Sequence, residues 1–205
     1  MRPTLAVLYQ SGMPSAFFAD FAHALENERF TVHLEVRESQ GPFAGIMWAM
    51  MTMGAVFIAS NYFGGMLKEL GKDHYLVLKE ELAKLTQKTM SVPRIEPTLF
   101  GTPGKADNND PYSMVFSVWA ELPNNRSAKL LIPKVATAND YAAITDAFLE
   151  FVIRCHEHGE EVLAEIGFEI SSRGNPITVA YNKSTGAIEF ANPFLIDAIA
   201  GRLLM

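Results

Sequence analysis

The residues best placed for chemistry lie between Val56 and Tyr75, in VFIASNYFGGMLKELGKDHY. An apolar run ends there in Ser60-Asn61-Tyr62, and a helical pattern bearing Glu69 follows. Hydroxyls, an amide and a carboxylate would then share the carboxyl edge of a strand, where open α/β sheets bind ligands. Asp73-His74-Tyr75 adds an acid, an imidazole and a phenol. His74 falls on the apolar stripe of its helix, which favours a hydrogen-bonded core histidine over a general base. Cys155-His156-Glu157-His158 has the residue types of a metal site. On a helix, however, His156 and His158 point about 200° apart and cannot share an ion. Cys155 sits on the stripe and reads as a small buried hydrophobe. Asp107 to Asp110 lacks the glycine and terminal glutamate of a calcium loop and reads as a turn. No Ser-His-Asp set and no phosphate-binding glycine fingerprint can be assembled by spacing. Backbone amides around Ser11 and Gly12, after the first apolar run, are the remaining place for a phosphate.

These groups depend on the elements that carry them. Residues 4–9 (TLAVLY) are β-rich and bounded by Pro3 and Ser11-Gly12, predicting a buried first strand. Phe17, Phe18, Phe21, Ala22 and Leu25 recur at three and four, predicting a helix over Pro14 to Glu28. Pro14 falls near its first turn, and Ser11 or Ser15 could cap it. Phe30, Val32, Leu34 and Val36 alternate with polar residues as a second strand.

A charge-free run of 29 residues follows, Ser39 to Leu67. Its length would permit a membrane span. Five glycines, Gln40, Thr52, Ser60 and Asn61 interrupt it, and no Lys or Arg cluster flanks it. It divides better into a helix over Phe43 to Met53, a break at Gly54 and a buried strand over Ala55 to Ala59. Tyr62 to Thr86 then reads as a long helix, its stripe formed by Phe63, Met66, Leu67, Leu70, His74, Leu78, Leu82 and Leu85. Glu80 and Lys84 make an i,i+4 pair on its other face.

Residues 87–111 hold four prolines and form a long connection. Beyond it, Tyr112 to Leu122 and Ala128 to Pro133 read as strands joined by PNNRS. A helix capped by Thr137 or Asn139 runs to about His158. A short helical piece over Glu160 to Ile166 precedes a hairpin of Pro176 to Tyr181 and Ala187 to Phe190. A helix from Pro193 to Leu204 closes the chain.

The 205 residues suit one large domain or two small ones, and the formal charge is -6. Arginines are scattered singly and make no basic stripe, which argues against a direct nucleic-acid partner. A single cysteine precludes an intrachain disulfide and fits a reducing compartment. The apolar patch Leu5 to Tyr9 is too short for a secretory signal. The expectation is a cytoplasmic protein without a membrane partner.

The order of elements over residues 4–86, with Ser60-Asn61-Tyr62 ahead of a helix carrying an acidic residue, resembles a Toll/interleukin receptor (TIR) domain. In the enzymatic members of that family the acidic residue cleaves NAD. The family's Ser-x-Trp-Cys element is replaced here by Gly64-Gly65-Met66. The resulting expectation is an α/β domain over 1–86 with a TIR-like or flavodoxin-like parallel sheet start (β-α-β-α-β-α). A connecting loop over 87–111 and an α+β part over 112–205, able to extend the same sheet, complete the chain.

Two functions follow from the resemblance. One is an interaction or signalling module working through protein surfaces and self-association, with a protein partner or a homo-oligomer. The other is an NAD- or nucleotide-cleaving hydrolase, with Glu69 as catalytic carboxylate stabilising positive charge on a ribose. Ser11, Gly12, Ser60 and Tyr62 would contact its substrate, with no bound cofactor. The scarcity of convergent polar residues favours the first. A membrane-associated effector acting through residues 43–67 stays open as a third.

Overall fold

The computed structural model describes residues 3–28, 30–38, 52–63, 67–91, 111–169 and 175–191, with backbone alone at 27 and 67–72. Most of the helix expected over Phe43 to Met53, the connection over 92–110 and the C-terminal helix lie outside the described residues. The elements are β1 (Leu5–Gln10), α1 (Ser15–Asn27), β2 (Val32–Arg37), β3 (Gly54–Ile58), α2 (Leu67–Met90) and β4 (Tyr112–Leu122). β5 (Arg126–Pro133), α3 (Ala138–His158), α4 (Glu160–Glu165), β6 (Ile177–Asn182) and β7 (Ala187–Phe190) follow. All seven strands join one sheet in the order β2-β1-β3-β4-β5-β6-β7, so the part after residue 111 continues the sheet begun by the first strands.

Strand alternation builds the main core. Leu5 and Val7 of β1, Val56 and Ile58 of β3, Phe116 and Val118 of β4, Leu130 of β5 and Val179 of β6 all face one side. The helices cover that side in a row, α2 packing against both α1 and α3. Phe18 of α1 stacks on Tyr9 with ring centroids 4.3 Å apart. Gly54 allows this approach, because a Cβ there would lie 3.1 Å from the Phe18 ring. The glycine that reads as a helix breaker therefore opens β3 and admits α1.

Local signals set the ends of elements. Thr137 caps α3: its hydroxyl accepts from Asp140 N–H at 3.2 Å, while the Asp140 carboxylate accepts from Thr137 N–H at 2.9 Å. This reciprocal pair satisfies amides that the first turn leaves without intrahelical partners. Pro14 occupies the cap position of α1 with no side-chain bond, so neither Ser11 nor Ser15 caps it. The β4–β5 hairpin turns through Asn124 and Asn125, with φ of 59° and 57°. Two successive positive φ values make the mirror-image turn that matches strand twist, and asparagine tolerates them.

The expectation of a parallel start is corrected at β3. β1 and β2 are parallel, but β3 runs antiparallel to β1, with Leu5 opposite Ile58 and Tyr9 opposite Gly54. Further on, β3–β4 and β5–β6 are parallel, and β4–β5 and β6–β7 antiparallel. The physical reason is where the chain re-enters the sheet. β2 ends beside the end of β1, since Ser11 N–H donates to Arg37 C=O, and β3 starts at that same end, since Gln10 N–H donates to Met53 C=O. A strand that starts beside the end of β1 can pair with it only in the opposite direction.

Candidate functional site

The reversal of β3 separates the residues that the sequence grouped. Ser11 and Gly12 follow the end of β1, beside Met53 at the start of β3. Ser60 and Tyr62 follow the end of β3, where Ala59 N–H donates to Thr4 C=O at the start of β1. The two groups sit at opposite ends of the strands, roughly 25 Å apart by strand rise. Ser11 and Gly12 do not share a cleft with Ser60 and Tyr62. Glu69 lies in α2, and its side chain is outside the described residues.

At its own end, Ser60 is a tie between strands. Its N–H and hydroxyl both donate to Glu121 Oε2, at 3.0 and 3.1 Å. His156 Nε2 lies 2.9 Å from the Glu121 carbonyl oxygen, and its ring stacks on Phe63. These bonds fasten the ends of β3 and β4 to α3. Tyr62 is fully buried, stacked on Phe30 and edge-on to Phe63. Among the described residues its hydroxyl has no hydrogen-bond partner, and burial pushes its acidity far below that of a free phenol. A buried hydroxyl without a partner loses its water and gains nothing in exchange. Tyr62→Phe is therefore expected to leave stability unchanged or raise it by about 1 kcal/mol. A urea titration measures this, and a loss above that size would reveal a role for the hydroxyl.

His74 and Cys155 take the core places that their stripe positions predict. His74 is 7% exposed, stacks on Phe30 at 3.8 Å and has Nε2 2.6 Å from the Glu28 carbonyl oxygen. Cys155 is buried, which pushes its thiol up to about 12. His158 is exposed. Among the described residues no three His, Cys, Asp or Glu side chains gather as metal ligands. Among the same residues no helix is long and apolar enough to cross a membrane.

The side of the sheet away from the helices carries a polar cluster that sequence reasoning missed. Ser117 of β4 joins Thr52, with their hydroxyls 2.7 Å apart, and accepts from Trp119 Nε1 at 2.8 Å. Trp119 stacks on Phe57 at 5.2 Å, and the Lys129 ammonium lies 5.4 Å from its ring centre. Lys129 is only 1% exposed, and burial lowers its pKa to about 7. Beside this cluster a cavity of about 100 Å³ is lined by Leu8, Gln10, Thr52, Phe57, Trp119 and Arg37, among others. The signal available in the sequence was Lys129 itself, a lone cation inside the apolar strand Ala128-Lys129-Leu130-Leu131-Ile132.

A second feature is β2 at the end of the sheet. Among the described residues no strand pairs with its outer side. Leu34 and Val36 are 38% and 55% exposed. His33 and Arg37 are also largely in solvent, Glu35 is half-buried, and Arg37 Nε donates to Glu35 at 3.0 Å. The strand has no proline, lysine or bulge along its run beside β1. Natural edge strands usually carry one of those devices to prevent strand addition.

No family model, no curated protein and no solved structure matches this chain.

Proposed function

We propose that the protein is an interaction module that acts by self-association through an exposed sheet edge. The observation that carries this reading is β2. It is six residues long, straight in register with β1, alternating in pattern and without proline, lysine or bulge. An exposed row of backbone N–H and C=O groups is a template for another strand, and apolar side chains at the same edge add buried area on pairing. Two of the residues expected at a catalytic cleft have other places in the fold. Ser60 ties β3 to β4, and Tyr62 belongs to the core.

Light scattering over a concentration series tests the reading. The wild-type mass is expected to rise from 22.7 kDa towards multiples of it as concentration increases. Leu34→Lys, which places a charge at the centre of the edge, is expected to hold the chain at the monomer mass without changing its melting temperature. Wild type that stays monomeric up to millimolar concentration would rule the reading out.

A further inference from the structure

We infer that the occupant of this edge is a second copy of the chain, its β2 antiparallel to the first about a two-fold axis through Leu34. The inference rests on the self-association proposed above and specifies its geometry.

The hydrogen bonds to β1 fix which backbone groups point outward. The Thr31 carbonyl accepts from Thr4 and Leu5 N–H, at 2.9 and 3.2 Å, and the Arg37 carbonyl accepts from Ser11 N–H at 2.8 Å. Backbone groups of successive strand residues point to opposite sides. Thr31, His33, Glu35 and Arg37 therefore bond towards β1, and Val32, Leu34 and Val36 present N–H and C=O to the open side. Two identical edges meeting about a two-fold axis run antiparallel. Residues that exchange hydrogen bonds in such a pair must be outward-pointing on both strands.

Four registers keep most of the strand paired, and charge separates them. With Leu34 opposite itself, Val32 faces Val36 of the other copy, and His33 faces Glu35 twice. Each outward pair exchanges two bonds, about six in all. With Leu34 opposite Val36, Glu35 faces its own copy, a like-charge pair that opposes association. With Leu34 opposite Val32, His33 faces itself. With Val36 opposite itself, Leu34 faces the Glu38 carboxylate and the Val32 pairing is lost from the strand. Only the first register pairs the three outward residues with one another, sets apolar side chains against one another and matches unlike polar groups across the axis.

Cysteine cross-linking reads the register directly. Residues that exchange hydrogen bonds across an antiparallel pair have Cα atoms about 5.5 Å apart, within reach of a disulfide. Cys155 is 1% exposed and does not compete. Under mild oxidation Leu34→Cys is expected to form covalent dimer at least tenfold faster than Val36→Cys. His33→Glu is expected to weaken the dimer, and the double exchange His33→Glu with Glu35→Lys to restore it, with light scattering as the readout. Preferential cross-linking of Val36→Cys overturns this register. A dimer that links at neither position, and that ignores the charge exchange, places the interface elsewhere and overturns the inference while leaving self-association standing. A strict monomer overturns both.

Discussion

Replacing Phe18 with alanine is expected to remove about 3–5 kcal/mol of stability, the range for deleting a fully buried phenylalanine. Phe18 is 0% exposed, lies flat on Tyr9 and reaches the space left open by Gly54. The loss has two parts: the apolar area returned to water, and the void left because strands on both sides resist collapse. The surrounding sheet is held by hydrogen bonds between β1 and β3, so its backbone has little freedom to close the gap. A single domain has only about 5–15 kcal/mol in total, so this substitution removes a large share. Chemical denaturation should show a lowered midpoint at an unchanged slope. Phe18→Leu should lose less than half as much, because it leaves a smaller void. A loss below about 1 kcal/mol for Phe18→Ala would mean that α1 does not pack here.

Stability is also expected to rise with pH between 7 and 9, and Lys129→Met is expected to abolish that rise. Burial lowers the Lys129 pKa from 10.5 to about 7 in the folded chain. Below about pH 7 both folded and unfolded states hold the proton, and the folded state bears the cost of burying the charge. Between 7 and 9 the folded lysine has released its proton while the unfolded one retains it. The unfolded state then binds more protons, so stability increases with pH. The gain over that window is about 2 kcal/mol. Cys155, pushed up to about 12, acts in the opposite sense above its ordinary value of 9.0 and bounds the window from above. Urea midpoints at pH 7, 8 and 9 measure the effect. A Lys129→Met variant with the wild-type slope would assign the rise to another group.

Much of the fold was legible because each element carries its own local signal. The α3 stripe from Tyr141 to Cys155, the β4–β5 turn at Asn124-Asn125 and the closing hairpin of β6 and β7 lie where periodicity and turn residues place them. The Glu80–Lys84 ion pair forms at 2.7 Å as its spacing predicts. His74 and Cys155 follow the same logic, since a residue on a helix stripe is buried whatever its chemistry. The expected helix from Tyr62 agrees with the described residues on either side of 64–66, since 60–63 are already helical and α2 is described from Leu67.

What the sequence by itself determined, among the described residues, was most of the strands and helices and the side of each that turns inward, because hydrophobic periodicity acts within a few residues. What only the tertiary structure decided was direction and neighbourhood. An apolar strand such as Ala55-Val56-Phe57-Ile58 has the same alternation read either way, so its antiparallel run beside β1 could not be read from it. That one direction places Ser11 and Gly12 at one end and Ser60 and Tyr62 at the other. It also aligns β3 with β4 in parallel, so that Ser60 reaches Glu121. The open edge of β2 and the burial of Lys129 are likewise properties of position in the sheet. Both arise from contacts between residues far apart in the chain, which no local pattern records.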